Sequence, residues 1–158
     1  MNAIIQLLWL ICAVVVQWAW GSAISFGGVT PYLPLIPIAR LALNDGEVSG
    51  TSAGFVSGLA MDLFVLDRFG VRALVGAILG YLLGGSRDRL AGDALQTRLV
   101  LVAAAVALHE TAVAVLAGAW SVGTVPSAVA SGVYTGILAA ILWGIAVVFD
   151  GLSGRSSS

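Results

Sequence analysis

Between Ala3 and Ile24 the chain carries no charged residue, and apolar blocks of similar character recur until about residue 149 with only short polar breaks. Blocks this continuous have no wet face to offer a soluble fold. With 59% of residues hydrophobic and 9% charged, the chain lies far below the roughly 25% charge of soluble domains. A soluble domain of this size must also leave roughly a third of its surface in water. The solvent is therefore lipid, and the chain reads as a polytopic membrane protein with almost nothing outside the bilayer.

A helix needs about 20 apolar residues to cross roughly 30 Å of hydrocarbon. Six spans are expected: Ala3–Ile24, Val29–Leu43, Ser49–Leu66, Val71–Gly85, Leu99–Trp120 and Ala128–Phe149. The second contains Pro31, Pro34 and Pro37. Proline lacks an amide donor and clashes with the preceding turn, so this span is predicted to be kinked or partly extended and surrounded by protein. The fourth, if helical, is short, at about 22 Å. Residues 1–150 thus form one all-α six-helix domain, and 151–158 read as a disordered polar tail. The first block lacks a basic first turn and is long for a signal-peptide core, so it is expected to be retained.

Six spans put both termini on one side. Arg40, Arg87, Arg89, Arg98 and Arg155 fall on that side, and Arg68 and Arg72 on the other. The positive-inside rule therefore predicts cytoplasmic termini. Trp18, Trp20, Tyr32 and Trp120 are expected at the outer interface, and Tyr81, Trp143 and Phe149 at the inner one. A net charge of −1 with no lysine offers no basic patch for nucleic acid. The lone Cys12 has no partner for an internal disulfide. No metal-binding or nucleotide-binding motif is present, so neither metal nor cofactor is expected.

In "GTSAGFVSGLAMD", Gly50, Gly54, Gly58 and Asp62 recur at every fourth position. Four residues advance a helix by about 400°, so the glycines share a face with Ser57 and Asp62 lies at its edge. Small residues so spaced let a second backbone approach closely, either within the chain or from a partner helix. An ionisable group in a membrane segment is a functional candidate. Asp62 has structural partners in prospect: Arg68 and Arg72 beyond a tight turn, or the amides that open the next span at Gly70.

"GFVSGLAMDLFVLDRFGVRALVGAILGYLLGG", Gly54 to Gly85, resembles the rod shape-determining protein MreD family. The matching features are Gly54-Phe55, Gly58-Leu59 with Asp62, Phe69-Gly70, Ala73-Leu74 and, upstream, Pro31, which Tyr32 follows where the family usually has an acid. The resemblance implies a non-enzymatic scaffold of the cell-elongation machinery in the bacterial inner membrane. It implies MreC, a single-pass protein, as partner, with MreB, RodA and the transpeptidase of RodA further along. It also implies a fold similar to the substrate-binding subunits of energy-coupling-factor transporters. A homodimer is left open.

His109 and Glu110 fall at the middle of the fifth span, where an acid costs about 2.5–3.5 kcal/mol. Arg40 is the candidate partner, with protonation of Glu110 as the other way to offset the cost. The pair forms either a polar clamp or part of a proton or substrate path. Adjacent residues point about 100° apart, so both cannot face one partner. Ser57 with His109 suggests a serine-hydrolase dyad, but no oxyanion donors stand near Ser57, and the chain is not expected to be an enzyme. The alternative function is a solute-binding subunit of a vitamin-type transporter, with His109 and Glu110 lining a cavity. A polar cavity of some hundreds of Å³ would favour that subunit, and an exposed apolar groove would favour the scaffold.

Overall fold

The computed structural model describes residues 3–63, 69–88 and 95–153, with side chains over 6–63, 69–88 and 95–143. Six helices follow one another: α1 (Ala3–Trp20), α2 (Leu35–Asp45), α3 (Glu47–Asp62), α4 (Val71–Gly85), α5 (Leu95–Leu116) and α6 (Thr124–Ser153). Among the described residues the only strand-like pairing is the bridge between Phe26 and Val29. It closes a tight turn on Gly27 and Gly28, both with positive φ, a conformation that glycine adopts without penalty.

The bundle is apolar outside and holds polar side chains within its core. Leu7, Phe55, Leu74, Leu108 and Ile137 are about half exposed, while Gln17, Ser57, Asp62, His109, Ser131 and Thr135 are buried. Water would penalise that arrangement, and hydrocarbon removes the penalty. Two stretches, Leu95–Leu116 and Thr124–Trp143, are long and apolar enough to cross a membrane, yet only 22% and 33% of their best windows are buried. A soluble core helix would bury most of its length. α1 and α4 are shorter apolar helices.

The three prolines do not kink a helix. Pro31 lies in the non-helical stretch before α2, Pro34 is its N-cap and Pro37 sits in its first turn. A missing amide costs nothing there, because first-turn amides have no intrahelical acceptor. The non-helical portion of the expected second span is therefore residues 29–34, and α2 is only 11 residues long. α5 begins and ends earlier than the expected fifth span, which moves His109 and Glu110 from the middle of the helix into its C-terminal third. α6 continues through Ser153, three residues into the expected tail; residues 154–158, with Arg155, lie outside the described residues, as do Arg68 and Arg89.

Tyr32 does not face outward. It is buried, with its ring stacked on His109 at a centroid separation of 4.2 Å. The remaining core gathers around α2: Leu35, Ile38, Ala39 and Ala42 are fully enclosed and meet Val102 and Val106 of α5.

Candidate functional site

The glycine stripe of α3 is filled by the next helix. α4 runs back along α3 and carries glycines at the same spacing, Gly76, Gly80 and Gly84. A methyl group added at Gly54 would strike the backbone of Gly76, and one at Gly50 the backbone of Gly80. Gly58 faces the backbone of Arg72 and Ala73, and Gly84 that of Gly46 and Glu47. Backbone lies on backbone along the whole seam, where dispersion replaces the hydrophobic drive that lipid cannot supply. Ser57 is buried and donates its hydroxyl to Gly54 O at 3.2 Å. The face is thus closed to an outside helix, because the space that the glycines create is already taken.

Asp62 closes the end of this seam. Its Oδ2 accepts from Gly70 N at 2.9 Å and Ala73 N at 3.1 Å, two amides at the start of α4 that have no helical acceptor. Gly70 enters α4 with φ of 92°, which a side chain would strain. Arg72 Nη1 lies 3.7 Å from Oδ1 and is partly exposed. A fully buried carboxylate is thereby offset by two amides, the helix dipole and a guanidinium.

A second polar region surrounds residues 24–34. Non-helical backbone away from water needs acceptors and donors from its neighbours, and here they come from two helices, α1 and α6. Gln17 Oε1 of α1 accepts from Leu33 N at 2.8 Å. On α6, Thr135 Oγ1 accepts from Tyr32 N at 2.9 Å, Ser131 donates to Thr30 O at 2.6 Å and Tyr134 donates to Ile24 O at 3.0 Å. None of these four polar residues stands out in the sequence, where each reads as an isolated interruption of an apolar run. The signal was indirect: clustered prolines leave backbone groups that some polar side chain must satisfy.

His109 and Glu110 split their duties as their angular offset requires. His109 is enclosed against Tyr32, and its Nε2 has no hydrogen-bond partner. Glu110 Oε1 lies 3.4 Å from His109 Nδ1, and its side chain is 39% exposed. No hydrogen bond joins Ser57 to His109, so the hydrolase dyad is not assembled.

Two cavities bear on the site. One is an apolar cleft of about 280 Å³ between α1, α2 and α6, lined by Trp9, Cys12, Val16, Ile36, Pro37 and Trp143, with Gln6 and Arg40 also on its walls. The other is a polar cup of about 450 Å³ where the turn at Gly28–Thr30 meets Glu110, Ser121, Thr124, Ser127 and Ser131. Arg40 and Glu110 therefore line different cavities. Among the described residues no three His, Cys, Asp or Glu side chains gather as a metal site would require.

A family model described as rod shape-determining protein MreD matches residues 1–149. No curated protein and no solved structure matches the chain significantly.

Proposed function

Since the chain belongs to the MreD family of rod shape-determining proteins, and so has a part in determining rod shape as a membrane protein, we propose that it is a non-enzymatic scaffold that seats the single membrane helix of MreC. It would cross the inner membrane six times with both termini in the cytoplasm. Through MreC it would influence MreB, RodA and the transpeptidase that works with RodA.

One observation carries this reading: the apolar cleft between α1, α2 and α6. With the glycine seam occupied by α4, a partner helix needs another lateral surface, and this cleft is a concave one. Trp9 and Trp143 offer large, rigid contact area, and Ala13 on the α1 wall leaves room for an incoming backbone. Exposed apolar concavities of this kind mark interaction sites.

The transporter alternative rests on the polar cup. That alternative needs His109 and Glu110 to line one cavity, and the cup is lined by Glu110 without His109. The scaffold is the better reading.

The test uses the native Cys12, which is exposed and lines the cleft. Cysteines placed along the membrane helix of MreC should cross-link to Cys12 in native membranes with a helical period. A Cys12→Ser protein carrying Ile78→Cys on the exposed side of α4 should give no adduct. Ala13→Trp should abolish cross-linking while the protein still folds. Adducts from position 78 alone, or undiminished pull-down of MreC by the Ala13→Trp protein, would overturn the proposal.

A further inference from the structure

The polar cup shares no lining residue with the apolar cleft, and the scaffold reading makes no use of it. Its lining has an unusual hydrogen-bonding character. The hydroxyl hydrogen of Ser131 is given to Thr30 O at 2.6 Å and that of Ser127 to Thr124 O at 3.0 Å. Ser121 and Thr124 share one hydroxyl contact at 3.1 Å, and Thr124 Oγ1 also accepts from Ser121 N. The amides of Thr124 and Ser127 are bonded to Ser121 O and Gly123 O. The hydroxyl hydrogens of Ser127 and Ser131 are spent locally, so these two side chains offer the cavity lone pairs, and the Thr30 hydroxyl and one hydroxyl hydrogen of the Ser121–Thr124 pair are the side-chain donors left.

To these the cup adds one carboxylate, that of Glu110, and its lining includes no arginine. A site rich in acceptors and poor in donors suits a ligand that is all donor. A protonated amine has three donors, a positive charge and no acceptor. Anions would be repelled by Glu110, and sugars would find too few donors for their own oxygens.

The rim indicates where that amine comes from. Phe26 and Val122, which flank the lining residues Gly28 and Ser121 in the chain, are 85% and 96% exposed. Trp120 is 56% exposed on the same connection. Apolar and indole side chains presented this way belong at the boundary between acyl chains and headgroups, so the mouth of the cup opens at headgroup level.

We propose that the cup bounded by Glu110, Thr124, Ser127 and Ser131 binds a primary ammonium group, the ethanolamine headgroup of a bilayer phospholipid being the source that the rim favours. The ammonium donates to the Glu110 carboxylate and to the hydroxyl oxygens of Ser127 and Ser131. The acyl chains lie outside, along the exposed flank of α5 and α6. This site goes beyond the scaffold reading and is independent of what fills the cleft.

The experiment uses the full-length protein in mixed micelles with equal amounts of phosphatidylethanolamine and phosphatidylglycerol of identical acyl chains. Lipid retention is read by native mass spectrometry. The wild type should retain phosphatidylethanolamine at least tenfold over phosphatidylglycerol, in line with the worth of a charged hydrogen bond. Glu110→Gln should bring the ratio close to one without altering the unfolding midpoint in lipid-free detergent. Ser127→Leu, which fills the cup from an exposed position and leaves the carboxylate intact, should do the same. A second arm measures thermal stabilisation by ethanolammonium chloride alone. Stabilisation by the salt would assign the site to free amines, and stabilisation by lipid only would assign it to the headgroup; either keeps the ammonium. Equal retention of the two lipids by the wild type, or an undiminished preference in folded Glu110→Gln and Ser127→Leu proteins, would overturn the proposal.

Discussion

The α3–α4 pair and the region where residues 24–34 meet α5 and α6 solve the same problem by opposite means. Along the glycine seam, Gly50, Gly54 and Gly58 remove side chains until backbone touches backbone, and affinity comes from shape alone. Around the extended segment, Gln17, Ser131, Tyr134 and Thr135 supply side chains so that free backbone groups find partners. In lipid neither region can rely on water leaving apolar surface. One is fixed by what is missing and the other by what is added, and their tolerance to substitution should differ accordingly.

Bulk is the sharpest way to break the comparison. Gly54→Leu would drive a side chain into the backbone of Gly76, with no flexible neighbour to yield. The expected outcome is loss of the folded monomer in detergent, seen as aggregation on size-exclusion chromatography. Gly54→Ala should fold and lose about 1–3 kcal/mol, as overpacked sites do, measured by reversible unfolding in mixed micelles. If Gly54→Leu folded normally, the seam would not be backbone on backbone.

Polarity breaks the other region. Thr135→Val keeps the shape of the side chain and leaves Tyr32 N without its acceptor. A loss of about 1–3 kcal/mol is expected, with Thr135→Ser restoring most of it. The same substitution logic applied to the seam should do little: Ser57→Ala removes only a bond to the helix's own Gly54 O and should stay within about 0.5 kcal/mol.

Asp62 sits where the two strategies meet, an added polar group closing a stripped-down seam. Asp62→Asn retains an oxygen for Gly70 N and Ala73 N while losing the attraction to Arg72. It should cost less than Asp62→Ala, which loses a cap worth about 1 kcal/mol and leaves two amides unpaired. Equal losses for the two variants would mean that charge, and not the paired amides, holds this junction.

The same contrast governs how far the amino-acid sequence could be read. The stripe Gly50-Gly54-Gly58, the aspartate at its edge and the bounds of α4 at Val71 and Gly85 follow from spacing, because small residues and spans leave periodic marks. Which helix fills the stripe does not follow, since Gly76, Gly80 and Gly84 form an equally good stripe for any neighbour. The bonds to Gln17 and Thr135 left no periodic mark. Each joins a single side chain to a backbone group far away in the chain, and a backbone group has no letter in the sequence. The end of α5 was hidden for a related reason. Apolar residues continue from Ala117 to Trp120 beyond the end of α5, so hydropathy alone set the end of the helix too late.

The hydrogen bond from Tyr32 N to Thr135 spans 103 residues, and this carries a consequence for biogenesis. During synthesis α3 and α4, joined by a brief connection, can zip together as soon as both have left the ribosome and entered the bilayer. The amide of Tyr32 has no such early relief, because its acceptor lies on α6, whereas that of Leu33 can already turn to Gln17 of α1. Until the last helix arrives, that stretch must borrow water or lipid headgroups, so the final helix acts as the bolt that locks a half-assembled protein. Truncation before Thr124 should therefore yield a chain whose α3–α4 hairpin is intact while its first loop remains open to proteases.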